Sequence, residues 1–375
     1  MYAQDRTWAE ISLKNIAHNF RELSNAVGDG VKVLGVVKAN AYGHGAVHVA
    51  AALLEAGCQY LAVATVGEAA ELRENGIDAP ILILGSTSAQ DSDEVISRGL
   101  TQSLASFEDA ARLSEAAVRA GRRVKAHLKL DTGMGRLGFV CRGGELDPII
   151  EALSLPNLDF EGVFTHFAVS EIPDDDYTRT QFKVFTDTVS ALEEKTGVKF
   201  KIRHCANSGA MLNYKETHLD MVRPGIVLYG HYPGADCRHL DLRPAMELKT
   251  RIVHIKHVEA GDTLSYGRTY TAPSRRKIAT VPIGYADGFL RSLSGRADML
   301  VRGRRVKQVG RICMDMCMLD VTDIPDAAVG DTVTVFGRDG DSFISVDEVA
   351  EKAGTISYEI LCAVSPRVPR IYADK

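Results

Sequence analysis

Lys38 closes an apolar run, Val31-Lys-Val-Leu-Gly-Val-Val37, and is followed by Ala-Asn-Ala-Tyr42-Gly-His-Gly45. An ammonium emerging from a buried strand sits near a low-dielectric mouth, which lowers its pKa and suits it to condense with a carbonyl. The plainer reading is a lysine whose stem follows the strand end out to solvent. In His127-Leu-Lys129-Leu-Asp131, a histidine and a lysine alternate with leucines on a strand expected to be buried on both faces, so Lys129 must be paired, neutralised or modified. Arg136 follows in a glycine-rich loop, where its guanidinium could grip a carboxylate through two parallel hydrogen bonds or pair with Asp131. His166, after Phe164-Thr, reads as a base, a ligand, a stacking ring or a satisfied core residue. Asn207-Ser208-Gly209 and Arg223-Pro-Gly225-Ile226 have the small residues that let backbone N–H groups approach a phosphate, although Pro-Gly is equally an ordinary turn. Farther on, Ser265-Tyr266-Gly-Arg268, Gly284-Tyr285-Ala-Asp-Gly288, Gly310-Arg311-Ile-Cys-Met314-Asp315 and Ile356-Ser-Tyr358-Glu359 form polar clusters between strands. A tyrosine needs nearby positive charge to act as a base near neutrality, so each cluster alone also fits a packing residue with a wet hydroxyl.

These residues need elements to hold them. Leu13, Ile16, Phe20, Leu23 and Val27 recur at helical spacing, with Ser12 placed to start the helix and Gly28 to end it. Apolar runs at 31–37, 60–63, 81–84, 101–104, 124–130, 158–164, 201–204 and 219–222 make eight strand candidates, most separated by amphipathic helical segments such as 107–120 and 177–195. Alternating strands and helices imply a parallel sheet, and eight units imply a closed (β/α)8 TIM-like barrel, with an open doubly wound sheet as the alternative. In such a barrel the chemistry lies at the carboxyl ends of the strands, where Lys38, Arg136, His166, Ser208 and Arg223 fall. From Pro244 the texture changes to period-two alternation, in 248–256, 277–283 and 331–336, with one helix expected at 345–352. The expectation is an α/β barrel over residues 1–244 and a mostly-β domain over 245–375, the first 11 or so residues packing with the latter.

Composition narrows the class. A hydrophobic fraction of 45% with 25% charged residues is that of a globular protein, and a net charge of −5 offers no footprint for nucleic acid or an anionic membrane. The basic stretch Arg302 to Lys307 is broken by Gly303 and Val306 and reads as a solvated strand face or hairpin. The seven cysteines are scattered and odd in number, against a disulfide framework or zinc knuckle and for free thiols in a reducing compartment. The opening Met1-Tyr-Ala-Gln-Asp-Arg6 lacks a signal-peptide pattern, and no apolar run is long enough to span a membrane. A cytoplasmic protein without a metal site is expected.

Taken together, the segments resemble alanine racemases along essentially the whole chain. Val36-Val-Lys38-Ala-Asn-Ala-Tyr42-Gly-His-Gly45 is similar to the family's lysine signature. It is followed in order by Lys129-Leu-Asp-Thr-Gly-Met-Gly-Arg136, Thr165-His166-Phe-Ala, Asn207-Ser208, Arg223-Pro-Gly-Ile226-Val-Leu-Tyr-Gly, Leu264-Ser-Tyr266-Gly, Ile283-Gly-Tyr285-Ala-Asp-Gly and Gly310-Arg-Ile-Cys-Met314-Asp-Met. The resemblance implies interconversion of L- and D-alanine with pyridoxal 5'-phosphate, a homodimer with shared active sites, and D-alanine either supplied to a cell wall or broken down.

The same resemblance implies the roles. Lys38 holds the cofactor and is the base on one face, and Tyr266 of the partner subunit is the base on the other, because racemisation takes a proton from one side and returns it on the opposite one. His166 belongs to the network that tunes Tyr266, and Arg223 faces the pyridine nitrogen. Tyr42, Ser208, Tyr358 and the N–H groups of Gly225 and Ile226 hold the phosphate, with Asn207 beside them. Arg136 and the Met314 N–H meet the substrate carboxylate, and Lys129 is carbamylated. Tyr285, Arg291 and Arg311 line the path by which substrate enters, with Glu171 where the family often has an aspartate. Decarboxylases of basic amino acids generally place a glutamate where this chain has Arg223. A racemase of broader or serine specificity is a closer rival, since one hydroxyl changes discrimination only modestly. A non-catalytic pyridoxal-phosphate barrel would lack a second domain and Tyr266.

Overall fold

The computed structural model describes residues 6–88, 90–141, 145–173, 175–234 and 237–372, in two compact units. The opening residues Met1 to Asp5, read above for a leader, lie outside the described residues. One unit comprises residues 14–41 and 46–243, and the other the described residues up to Leu13, Tyr42–Gly45 and the chain from Pro244 onward.

The first unit is a parallel barrel. Its strands are β1 (Lys32–Val36), β2 (Tyr60–Val63), β3 (Ile81–Ile83), β4 (Thr101–Leu104), β5 (Val124–Asp131), β6 (Leu158–Phe164), β7 (Ile202–His204) and β8 (Met221–Val222). Neighbours pair in chain order from β1 to β7, and β8 pairs with β1. Between β7 and β8 the ring is drawn together by Asp220 N–H to Arg203 O at 3.1 Å and Arg223 N–H to Ala206 O at 2.9 Å. An open sheet is thereby excluded. Strands such as β2 (Tyr-Leu-Ala-Val) and β3 (Ile-Leu-Ile) are continuous apolar runs, as expected of strands covered on both faces, whereas β4, β5 and β7 bury polar side chains including Gln102, His127, Lys129 and His204. The helix Leu13–Val27 spans the expected segment and buries Ile16, Phe20 and Leu23 on one face. Its buried Asn19 is held by the carbonyls of Leu228 and Arg243 and by the Arg243 N–H.

The second unit is dominated by a mostly antiparallel sheet. Thr7–Ile11 lies between Met246–Arg251, to which it is antiparallel, and Arg370–Tyr372, to which it is parallel. The alternating run at 248–256 forms two strands, Met246–Arg251 and His254–Val258, rather than one. The chain changes partners between them: the Ile252 N–H bonds Asp331 O and the Val253 N–H bonds Thr280 O. A short hairpin, Thr263–Leu264 with Tyr270–Thr271, carries Tyr266 at its tip. Leu264 and Tyr270 anchor its base in a small core with Val258, Ala272, Ile278 and Val309. The basic stretch is a hairpin strand, Arg304–Val309, whose cations are paired: Arg305 with Glu348 and Lys307 with Asp298, while Arg302 in the turn meets Asp331. The helix Val346–Ala353 is capped by Ser345. No helix among the described residues is long and apolar enough to cross a membrane.

Candidate active site

Lys38 stands two residues beyond the end of β1, at the start of a strained turn. Ala39, Asn40, Ala41 and Tyr42 all have φ near +52°, a left-handed conformation costing roughly 1–2 kcal/mol per L-residue. Such strain persists only where surrounding bonds determine it. Here Ala41 N–H bonds Val37 O at 2.9 Å, Asn40 Oδ1 accepts the Ala46 N–H at 2.8 Å, and Glu68 Oε1 accepts the Ala39 N–H at 2.6 Å. The other Glu68 oxygen takes the N–H groups of Ala64 and Thr65, at the end of β2. One carboxylate thus ties two strand ends together beside Lys38. The sequence held a signal for it, since Thr65-Val-Gly-Glu68 is a capping box at the start of Val66–Glu74.

Lys129 on β5 is buried, with its Nζ 4.7 Å from the centroid of the Phe164 ring. Burial first, then the Arg223 charge, pull its pKa down to about 7, with Asp131 partly opposing, so much of it is a neutral amine near pH 7. Asp131 makes no ion pair with Arg136 among the described residues; its Oδ1 accepts the N–H groups of Gly133 and Gly135 and shapes the loop instead. Arg136 is exposed at that loop. His166 is partly buried, and burial together with the Arg223 and Lys129 charges holds its pKa well below the usual value. Gln181, which the sequence did not single out, fixes its backbone by donating to His166 O and accepting the Ala168 N–H.

Arg223 follows β8 and is only 4% exposed. Its Nη2 donates to Thr165 O at 2.7 Å and Cys205 O at 3.1 Å, with His166 Nδ1 at 3.4 Å, and its Nη1 donates to His204 Nδ1 at 3.0 Å. Burial lowers its pKa to about 10, which leaves it a cation at neutral pH. Asn207 caps the helix Ser208–Asn213 through Oδ1, and Ser208 Oγ accepts the Gly225 N–H at 2.9 Å. That bond leaves the Ser208 hydroxyl proton to be donated elsewhere. Ile226 opens a buried 3-10 turn, and Glu171 lies partly buried in the loop after His166. Lys38, Arg136 and Arg223 therefore follow parallel strands, a set of basic side chains suited to phosphate and carboxylate groups, with the largely uncharged Lys129 on β5 beside them.

In the second unit Tyr266 is 72% exposed. Its loop is shaped by Ser265, whose backbone is left-handed and whose Oγ donates to Arg311 O at 2.7 Å. Tyr285, Met314 and Met316 are also exposed, and Tyr285 and Ala286 donate their N–H groups to the carbonyls of Cys313 and Met314. Beneath these loops is a group with no role assigned from sequence. Asp287 is fully buried and receives Arg6, Arg367 and the Gly284 N–H, while Arg367 also reaches Asp315. Burial opposes its ionisation, but the bonds from Arg367 and Arg6 prevail and hold the carboxyl below its ordinary value. Arg291 is exposed on a separate 3-10 turn. Tyr42 and Tyr358 have ring centroids 6.1 Å apart, and burial, reinforced by Tyr358, raises the Tyr42 pKa.

Residues 11–233 match the model of the alanine racemase N-terminal domain, and residues 245–372 that of the C-terminal domain. Alanine racemase 2 of Caldanaerobacter subterraneus subsp. tengcongensis is 50% identical, over 98% of this chain and 94% of its own. The structure of alanine racemase from Bacillus anthracis with bound L-Ala-P superposes with a TM-score of 0.93 at 39% identity, covering 99% of this chain and 96% of the other. A histidine racemase from Leuconostoc mesenteroides has a TM-score of 0.89 at 30% identity, covering 99% and 98%.

Replacing Glu68 by Gln keeps the shape but turns an amide N–H toward backbone donors. The expected outcome is a loss of roughly 1–3 kcal/mol in stability from the orphaned N–H, with slower turnover because Lys38 loses its fixed direction. Unchanged thermal stability and rate would show that the turn does not depend on this carboxylate.

Proposed function

The chain belongs to the alanine racemase family and interconverts L- and D-alanine, and we propose that it does so as a homodimer using pyridoxal 5'-phosphate, Lys38 and the partner's Tyr266. The observation that carries the two-chain reading is the exposure of Tyr266, at a firmly anchored hairpin tip in a unit that also exposes Met314, Met316 and Tyr285. Large exposed apolar side chains around a polar tip are what an interface presents before its partner covers them. The residues also fit the cofactor: Arg223 is a buried donor that cannot accept a proton, and Ser208, Gly225 and Ile226 offer a hydroxyl and small-residue backbone at the strand ends. When bound, the cofactor supplies an electron sink conjugated to the substrate's α-carbon.

Lys38 would hold the cofactor and, in turnover, carry the α-proton on one face. Tyr266 of the partner does so on the other, so inversion needs no motion of substrate between bases. Tyr42, Ser208, Tyr358 and the backbone of Gly225 and Ile226 hold the phosphate, with Asn207 shaping that end through its helix cap. Arg223, which donates and cannot accept a proton, would face the ring nitrogen and favour its unprotonated form, restraining side reactions. Arg136 and the Met314 N–H receive the substrate carboxylate. Tyr285, Arg291 and Arg311 line the substrate's path with Glu171, and Asp287 keeps the Tyr285 and Met314 loops in register. His166, neutral beside Arg223, tunes Tyr266. The enzyme works in the cytoplasm.

Lys129, as a largely neutral buried amine, adds carbon dioxide and loses a proton to become a carbamate anion, which then orients Arg136. Intact protein weighed without acidification is expected to be one carbon dioxide heavier than acidified protein, and equal masses would remove this step. Similarity to a histidine racemase of the same fold makes strictness for alanine the point to test alongside reaction type. In deuterated water, L-alanine is expected to lose optical rotation and gain α-deuterium together, with L-serine and L-histidine reacting more slowly. Retention of both handedness and α-proton by alanine would overturn the assignment.

A further inference from the structure

We infer that Glu161, on β6, is a positioning residue that holds the Arg223 guanidinium through His127 and His204, each fixed as the neutral tautomer protonated on Nε2. A guanidinium only donates, so His204 Nδ1, 3.0 Å from Arg223 Nη1, must be the unprotonated nitrogen. A neutral His204 then carries its proton on Nε2, which lies 2.8 Å from His127 Nδ1. That nitrogen must accept in turn, so the His127 proton is also on Nε2. It faces Glu161 Oε1 at 3.6 Å, an electrostatic contact just longer than a hydrogen bond, and has no closer acceptor among the described residues.

The far end is equally constrained. An ionised carboxylate only accepts, so Tyr60 donates to Glu161 Oε1 at 3.1 Å, and the Thr101 hydroxyl must then donate to the Tyr60 oxygen at 2.9 Å. The other carboxylate oxygen meets Lys125 Nζ at 2.9 Å. Burial works against ionisation of Glu161, yet the close approach of the His127 ring and the ion pair with Lys125 hold its pKa at about 2. Both histidines are fully buried, and burial keeps their pKa values low, so both stay neutral. Every donor in the line therefore points away from Arg223 and toward one anion.

This line is built into the strands. His127 is on β5, Glu161 on β6 and His204 on β7, and Phe164 stacks on the His204 ring at 4.7 Å and 8°. A Cβ on Gly162 would lie 2.6 Å from the His127 ring, so β6 carries a glycine where that ring must fit. Barrel interiors are ordinarily filled by branched apolar side chains. Two fully buried imidazoles joining a buried cation to a carboxylate are costly unless their polarity is used. Arg223 has no carboxylate contact of its own among the described residues, so Glu161 is its counter-ion at a distance.

The effect on turnover rests on the reading that Arg223 faces the ring nitrogen, whereas the tautomers do not. The test uses the holoenzyme with ¹⁵N-labelled histidine, assigned by comparison with single-histidine variants. Both His127 and His204 are expected to show a protonated Nε2 and an unprotonated Nδ1. Either one protonated on Nδ1, or on both nitrogens, would overturn the inference whatever the variants do. His127→Gln retains an acceptor and a donor, while His127→Leu has neither. The Leu variant is expected to lose about tenfold in kcat with KM for alanine little changed, and the Gln variant to stay near wild type. Glu161→Gln, which keeps an acceptor but removes the anion, is expected to fall between them. A Leu variant as active as the Gln variant would reduce the line to packing and overturn the positioning role. Cofactor absorption in Arg223→Met is expected to shift; if it did not, the Arg223 reading itself would fail and the effect on turnover with it.

Discussion

A buried guanidinium is the constraint on which the barrel's polar interior depends. Arg223 cannot shed its charge at neutral pH and cannot accept a hydrogen bond, so every neighbour must be an acceptor. The carbonyls of Thr165 and Cys205 and the Nδ1 atoms of His166 and His204 meet that demand. Burial first, and then the Arg223 charge, pull Lys129 toward neutrality and keep His166 and His204 unprotonated. A carboxylate placed directly against Arg223 would have lowered the cost of burial while consuming the N–H groups that make it useful. Setting the anion two imidazoles away keeps the cation and leaves its donors to be directed.

The second cost is conformational. Four consecutive left-handed residues after Lys38 would be untenable in a free loop, and they are held by backbone bonds and by the carboxylate of Glu68. A strained but over-determined turn narrows the directions open to the lysine, which is what proton transfer at a fixed α-carbon requires. Rigidity is likewise built under Tyr266. Its ring is exposed, but the hairpin below is pinned by Leu264 and Tyr270 and the loop by Ser265. Each unit thus gives its proposed base little freedom to wander.

Much of this was legible in the sequence, for reasons that also explain the rest. Strands at Tyr60–Val63 and Ile81–Ile83 fall in apolar runs because a strand covered on both faces has no polar alternation to blur its ends. The single run read over 248–256 failed to show its break, because alternation records which face is buried and not which strand is the partner. Nothing in Ala-Asn-Ala-Tyr predicts a left-handed turn, since only asparagine among them tolerates that region readily. The candidate site residues were singled out as a set by resemblance to a family, whereas the groups that position them, Glu68, Gln181 and Glu161, were not. Glu161 stands in a buried strand as Lys129 does, so the reasoning applied to the lysine could have found it. An ion pair with Asp131 was one of the two readings of Arg136, but a carboxylate two residues before Gly133 is better placed to bind that loop's own N–H groups.

The central claim is that one active site takes Lys38 from one chain and Tyr266 from another. Mixing Lys38→Met and Tyr266→Phe subunits tests it directly, because neither variant alone has both bases. With shared sites, a random mixture forms heterodimers in which one site is whole, and activity should return to about a quarter of wild type. If every subunit used its own Tyr266, the mixture would be as inactive as its parents, and the account would be wrong.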